Sequence, residues 1–139
     1  MGITKAEALK AVDRERGPVC EASDRIWDQP ETAFQEFHST DVLCELLEKE
    51  GFRVERNLAG IATAFSGTYG SGKPVVGILG EFDALSGLSQ ESESLEKTAL
   101  VDGAPGHGCG HNLLGTGSVA AAIAVKEYLE KNGKEGTVI

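Results

Sequence analysis

The sequence predicts an α/β fold, and three observations carry that reading. Apolar residues recur at helical spacing from Ala6 to Leu47, and at Phe52 the period shortens to the alternation of strands. Further on, Pro74-Val-Val-Gly-Ile-Leu-Gly80 is an unbroken apolar run. A helix-length stretch and a new strand come after it. A strand, a crossover helix and a second strand make a βαβ unit, whose two strands are expected to run parallel.

Each element can be justified in order. Thr4 and Glu7 stand at capping-box spacing, so a helix starts there and runs through Ala8, Leu9 and Val12. Gly17-Pro18 interrupts it, which predicts a kink or two consecutive helices. The pattern resumes through Val19, Ala22, Ile26 and Trp27 and stops at Gln29-Pro30, with Cys20 read as a small buried residue. From Glu31 to Glu50 another helical region carries Phe34, Phe37, Val42, Leu43, Leu46 and Leu47, with Ser39-Thr40-Asp41 as an internal N-cap and Gly51 as terminator. His38 and Cys44 fall on it with no partner at ligand spacing, and both read as structural.

Phe52–Arg56 and Ile61–Phe65 alternate like short strands, and Thr68–Pro74 has the composition of a turn. The run from Pro74 to Gly80 reads as a strand buried on both faces, pairing with Ile61–Phe65 as a hairpin. Ser89–Asp102 is an exposed loop rich in Ser and Glu, with a helical turn near Glu93–Lys97, and its glutamates are a solvated face. Asn112–Asn132 is a helix kept thin by Gly115, Gly117 and a run of alanines, so that it lies close on a sheet. Gly133 ends it, and Thr137-Val-Ile139 begins the next strand.

Composition narrows the function. The 139 residues are one domain by size, and a formal charge of −9 with scattered basic residues argues against nucleic acid. No apolar run reaches the length of a membrane span, and the N-terminus lacks the apolar centre of a signal peptide. Three cysteines form no disulfide framework, which points to the cytoplasm.

The chemistry concentrates in Gly106-His107-Gly108-Cys109-Gly110-His111-Asn112. Glycines let the backbone aim thiol and imidazole at a common point, and these groups ligate transition metals. The loop feeds a helix N-terminus, where thiolates are favoured. Glu81-Phe82-Asp83 follows the apolar run directly, and in a strand that spacing puts both carboxylates on one face. Asp83 either serves the site or simply caps the next turn; the spacing alone leaves both open. A second chemistry makes Cys109 a nucleophile with His107 or His111 as base, although two flanking histidines suit a metal better. The Gly-x-Gly pattern lacks the lysine of a phosphate loop.

Taken together, Trp27-Asp-Gln-Pro-Glu31, Gly80-Glu-Phe-Asp-Ala-Leu85, Gly87-Leu-Ser-Gln90 and Gly106–Gly115 resemble the amidohydrolase branch of the aminoacylase/carboxypeptidase metallopeptidases. Within that branch the motifs are most like those of hydrolases acting on p-aminobenzoyl-glutamate, and the likeness runs along nearly the whole chain. The resemblance implies a three-layer zinc-exopeptidase-like sheet with helices on both faces. It implies Cys109 and His111 as ligands of a two-metal site, manganese or zinc, and Asp83 as the aspartate that orients a ligand. His107 would stand behind the ligands, and Glu81, where the peptidase branch has a metal-binding histidine, is a possible ligand. Ser86 replaces the proline common after Asp-Ala-Leu.

The implied reaction is metal-dependent hydrolysis of an acyl–amino-acid amide by a homodimer or hetero-oligomer. Its general base belongs to a Glu-Glu pair beyond the strand begun at Thr137. Since the sequence stops inside that strand, residues 1–139 are expected to be the N-terminal part of the catalytic domain, without the lid and dimerisation domain and inactive alone. The alternatives are a non-catalytic metal- or partner-binding domain of the same fold and, less favoured, a cysteine hydrolase.

Overall fold

The computed structural model describes residues 2–139. Three helices come first: α1 (Lys5–Arg14), α2 (Arg16–Asp28) and α3 (Phe37–Lys49). Strands β1 (Arg53–Arg56), β2 (Phe65–Ser71) and β3 (Val75–Val76) follow, then α4 (His111–Asn132) and β4 (Gly136–Val138). The class is mixed α/β as expected, with strand order β1-β2-β4-β3. β4 pairs parallel with β3 and antiparallel with β2, so α4 is the crossover of a parallel βαβ unit.

The caps follow the sequence closely. Thr4 and Glu7 form the reciprocal capping box, and Thr4 Oγ1 accepts from the Glu7 amide at 3.2 Å. The break between α1 and α2 falls at Glu15, leaving Gly17 and Pro18 inside the first turn of α2, where proline costs no hydrogen bond. Gly51, at φ +81°, closes α3. Its amide donates to Glu48 O, and the Phe52 amide donates to Leu47 O at 3.0 Å, the two bonds of a Schellman ending.

Two parts of the helix reading need correction. Residues 31–36 are not helical, and Phe34 (φ +66°) and Phe37 point outward at 66% and 52% exposure. The start of α3 is capped from outside it. Glu31 accepts from the His38 and Ser39 amides and from Ser39 Oγ, each at 2.9 Å, so Ser39 is inside the helix rather than its cap. A carboxylate on those first amides also meets the positive end of the helix dipole. Cys20, expected inside, is exposed.

The strands differ more. Ile61–Phe65 and Val75–Leu79 do not form a hairpin; β2 pairs with β1 on one edge and β4 on the other. β2 begins at Phe65 and runs through the glycines that look like a turn. Those glycines serve close approach: a Cβ on Gly67 would lie 2.9 Å from Leu47 Cδ1, and one on Gly70 would lie 2.2 Å from the Gly136 carbonyl oxygen. The Pro74–Gly80 run is not buried on both faces either. β3 is the sheet edge, with Val75, Val76 and Leu79 exposed at 58%, 43% and 87%. No helical turn forms near Glu93–Lys97, where the loop is exposed as expected.

One core holds the chain together. Ala22 and Ile26 of α2, Val42, Leu43, Leu46 and Leu47 of α3, and Val119, Ala122 and Ile123 of α4 pack with Phe52 and Val138. They meet the sheet face that carries Phe65 and Tyr69. Two of the three expected layers are therefore described, the sheet and the helices on this face. No helix of the described residues is long and apolar enough to cross a membrane.

Candidate functional site

The fold brings Glu81, Asp83 and His111 together. Gly110, in the left-handed region at φ +79°, turns the chain into α4, and His111 is the first residue of that helix. Its Nδ1 lies 2.7 Å from Asp83 Oδ1 and its Nε2 lies 3.4 Å from Glu81 Oε2. The two carboxylates thus occupy opposite edges of one imidazole, although residues 77–83 form no regular strand. Asp83 and His111 are half-shielded, with side chains 24% and 17% exposed, while Glu81 is 61% exposed.

The backbone around the pair is pinned from two sides. The Ala84 amide donates to Glu31 O at 2.7 Å, and Leu85 exchanges two bonds of 3.0 Å with Gly106. Glu31 therefore both caps α3 and steadies the residue after Asp83. At Gly106 a Cβ would lie 2.0 Å from the Leu88 carbonyl oxygen, so only glycine fits there. Gly115 allows a close contact: its Cβ would meet Phe82 Cβ at 3.0 Å and Glu81 O at 3.2 Å, a tight fit where α4 lies against the carboxylate segment. Gly117 has nothing within 4 Å, so the crossing does not require it.

His107 and Asn112 form the buried underside of the loop. His107 is 5% exposed, its ring lies over Trp27 with centroids 6.3 Å apart, and Nε2 is 3.2 Å from the Ile26 carbonyl oxygen, to which it donates. Burial holds its pKa below the ordinary histidine value. Asn112 Nδ2 donates to Ser23 Oγ at 3.0 Å. Both side chains tie the loop to α2. That anchoring is invisible in the local sequence, because its partners lie 81 and 89 positions away.

Cys109 is exposed at the tip of the loop, and no hydrogen bond joins it to His107 or His111 among the described residues. A thiol nucleophile would need one of those rings as its base. Instead, the nitrogens of His111 face carboxylates, and His107 is committed to α2.

The donor chemistry fits a divalent ion in kind. A carboxylate on one imidazole nitrogen fixes the tautomer and raises the basicity of the other, the usual support for a metal-bound histidine. A thiol two residues away and a second carboxylate add suitable donors. In number the set is incomplete: the described residues contain no group of three or more His, Cys, Asp or Glu side chains placed to hold a metal ion.

No family model matches the chain. It is 51% identical over 128 residues to a p-aminobenzoyl-glutamate hydrolase subunit of Escherichia coli, a match that covers 92% of this chain and 27% of that protein. By sequence, this chain is a relative of that hydrolase subunit. It is also 28% identical over 142 residues to human Xaa-Arg dipeptidase, again across 92% of its own length and 28% of the relative's. The chain therefore spans about a quarter of the length of the curated relatives it matches. Two solved structures share the fold. One is a protein from methicillin-resistant Staphylococcus aureus assigned to the aminohydrolases (TM-score 0.74, 23% identity, 97% of this chain and 33% of that one). The other is a dinuclear metal-binding peptidase of the M20 family from Bacillus subtilis (TM-score 0.65, 24% identity, 89% and 34%).

Proposed function

We propose that residues 1–139 are the first part of the catalytic domain of a metal-dependent amidohydrolase that cleaves an acyl–amino-acid amide of the p-aminobenzoyl-glutamate kind. One observation carries the reading: Asp83 and Glu81 bracket the ring of His111 in a chain half identical to a hydrolase of that amide.

In this reading Cys109 and His111 are ligands, and manganese or zinc in a two-metal site is the cofactor. Bound metal supplies polarisation of the scissile carbonyl and a lowered pKa for an attacking water. Asp83 accepts the Nδ1 proton of His111, which keeps Nε2 free and basic on the side where Glu81 stands. Glu81 adds negative charge there and is a candidate further ligand. Anchored through Trp27 and the Ile26 carbonyl, His107 positions the loop. The general base and remaining ligands would come from polypeptide outside these residues, so the 139-residue chain alone would not turn over. A homodimer or hetero-oligomer in the cytoplasm, with a small-molecule substrate and no nucleic acid or membrane partner, completes the proposal. That the E. coli relative is named as a subunit supports the oligomer, and the charge of −9 supports the lack of a nucleic-acid partner.

The test uses the longer protein that carries this chain, purified without chelator. Stoichiometric metal, lost in Cys109→Ala and His111→Ala, together with chelator-sensitive release of p-aminobenzoate or glutamate, is the expected result. Hydrolysis that survives complete metal removal would overturn it.

A further inference from the structure

Glu31 bonds in two directions. Its carboxylate accepts from the His38 and Ser39 amides and from Ser39 Oγ, each at 2.9 Å, and Ser39 is fully buried. Three donors on two oxygens call for a carboxylate, because an amide side chain would offer one oxygen and turn N–H toward N–H. The main-chain carbonyl of Glu31 accepts from the Ala84 amide at 2.7 Å, and Thr32 beside it bridges Ala84 in parallel. The side chain thus fixes Glu31 on the start of α3, and the main chain passes that position to the residue after Asp83.

The carboxylate segment has little else to hold it. Among the described residues no backbone amide from Leu79 to Asp83 donates to a backbone carbonyl, and Asp83 lies in no regular strand. Leu85 pairs with Gly106, which belongs to the ligand loop itself. That loop is fixed in turn by His107 Nε2, which donates to Ile26 O just upstream of Glu31. The stretch from Ile26 to Glu31 is therefore a frame that grips the loop at one end and the carboxylate segment at the other. Across it the Asp83–His111 contact closes at 2.7 Å.

We propose that Glu31 is a positioning residue of the site: by way of Ala84 it holds Asp83 on Nδ1 of His111, and so decides which ring nitrogen carries the proton. Two carboxylates compete for that proton. Asp83 Oδ1 stands 2.7 Å from Nδ1, while Glu81 Oε2 stands 3.4 Å from Nε2 on a side chain that is 61% exposed. The closer oxygen favours the Nδ1–H tautomer and leaves the Nε2 lone pair outward. A slack Asp83 gives up that advantage, and the ring shifts toward the Nε2–H form, which has no lone pair to offer a metal on that side. The tautomer is a property of the metal-free chain; only its consequence for metal affinity rests on the hydrolase reading.

The test uses the longer protein that carries this chain, stripped with chelator and isotopically labelled on its histidine ring nitrogens. NMR at a pH where imidazole is neutral reads the tautomers. The His111 signals are those lost in His111→Ala, and protected amides at Leu43 and Val119 show that each variant is folded. The parent should be mainly Nδ1–H. In Glu31→Gln the ratio of Nδ1–H to Nε2–H should fall about fivefold, the worth of one ordinary hydrogen bond. Ser39→Ala removes one of the three donors and should lower the ratio by a smaller factor. Thr4→Ala strips a cap from α1, far from the site in sequence, and should leave the ratio unchanged.

A parent mainly in the Nε2–H form would overturn the proposal. So would a ratio unmoved in whichever of the Glu31 and Ser39 variants fold, or one moved equally by Thr4→Ala. Zinc titration of the same variants separates the two readings. A lower ratio with zinc bound about fivefold more weakly supports both. A lower ratio with unchanged zinc binding supports the positioning role of Glu31 and overturns the ligand role of His111.

Discussion

The two ends of the His107–His111 loop, four residues apart, do different work. The His107 end is buried against α2 and is held by one ring–carbonyl bond and one aromatic neighbour. The His111 end is turned to the surface between two carboxylates, with an exposed thiol beside it. Burial holds the pKa of one histidine below the ordinary value; the other has both nitrogens facing anionic oxygen. Residue type does not separate them. What separates them is which element lies across from each ring.

The sharpest way to break this contrast is to remove the surface end. In the longer protein, His111→Ala or Cys109→Ala should abolish hydrolysis and stoichiometric metal binding while leaving Tm in the presence of chelator within a few degrees of the parent. If metal content is unchanged in both, the surface end is not the ligand end. Removing the support alone is milder. Asp83→Asn keeps the shape but weakens the hold on His111, and metal affinity should fall about 10–100-fold, as is usual for a carboxylate behind a ligating histidine; isothermal titration reads it directly.

At the buried end the same truncation should act on stability. His107→Ala removes a buried hydrogen bond and the ring beside Trp27, and should cost about 2–3 kcal/mol in urea unfolding. Once the variant is folded, metal affinity should change less than in Asp83→Asn. The reverse order would move His107 into the ligand set. The smallest effect concerns thiols. Burial lifts the Cys44 pKa to about 11, so its thiolate is negligible near pH 8 and forms only as the pH approaches that value. Cys109 and Cys20 are exposed. A thiol reagent at pH 8 should therefore label two cysteines per native chain and the third only after unfolding.

Much of this was legible before any coordinates. The capping box at Thr4, the stop at Gly51 and the long helix ending at Gly133 rest on contacts within a few residues, and each appears where its signal stands. The two-residue spacing of Glu81 and Asp83 reads as one face of a strand; both carboxylates do lie against His111, but from a segment that forms no regular strand. The hairpin and the doubly buried strand failed for a common reason. Gly67 and Gly70 look like turn residues, yet they sit in β2, where the Gly136 carbonyl approaches Gly70 too closely for a side chain and Leu47 packs against Gly67. Hydrophobicity marked Val75–Leu79 as interior, but burial needs neighbours on both sides, and β3 has one strand beside it.

The sequence by itself determined the start of α1, the ends of α3 and α4, the parallel βαβ unit and the chemical character of the loop, because those depend on local hydrogen bonding, periodicity and ligand type. Only the tertiary structure decided that Glu31 caps α3 and steadies Ala84, that His107 anchors to Ile26, and that His111 lies between Asp83 and Glu81. Those contacts join residues from seven to 81 positions apart. Their partners are chosen by how helices and strands pack, and local propensity carries no information about that choice.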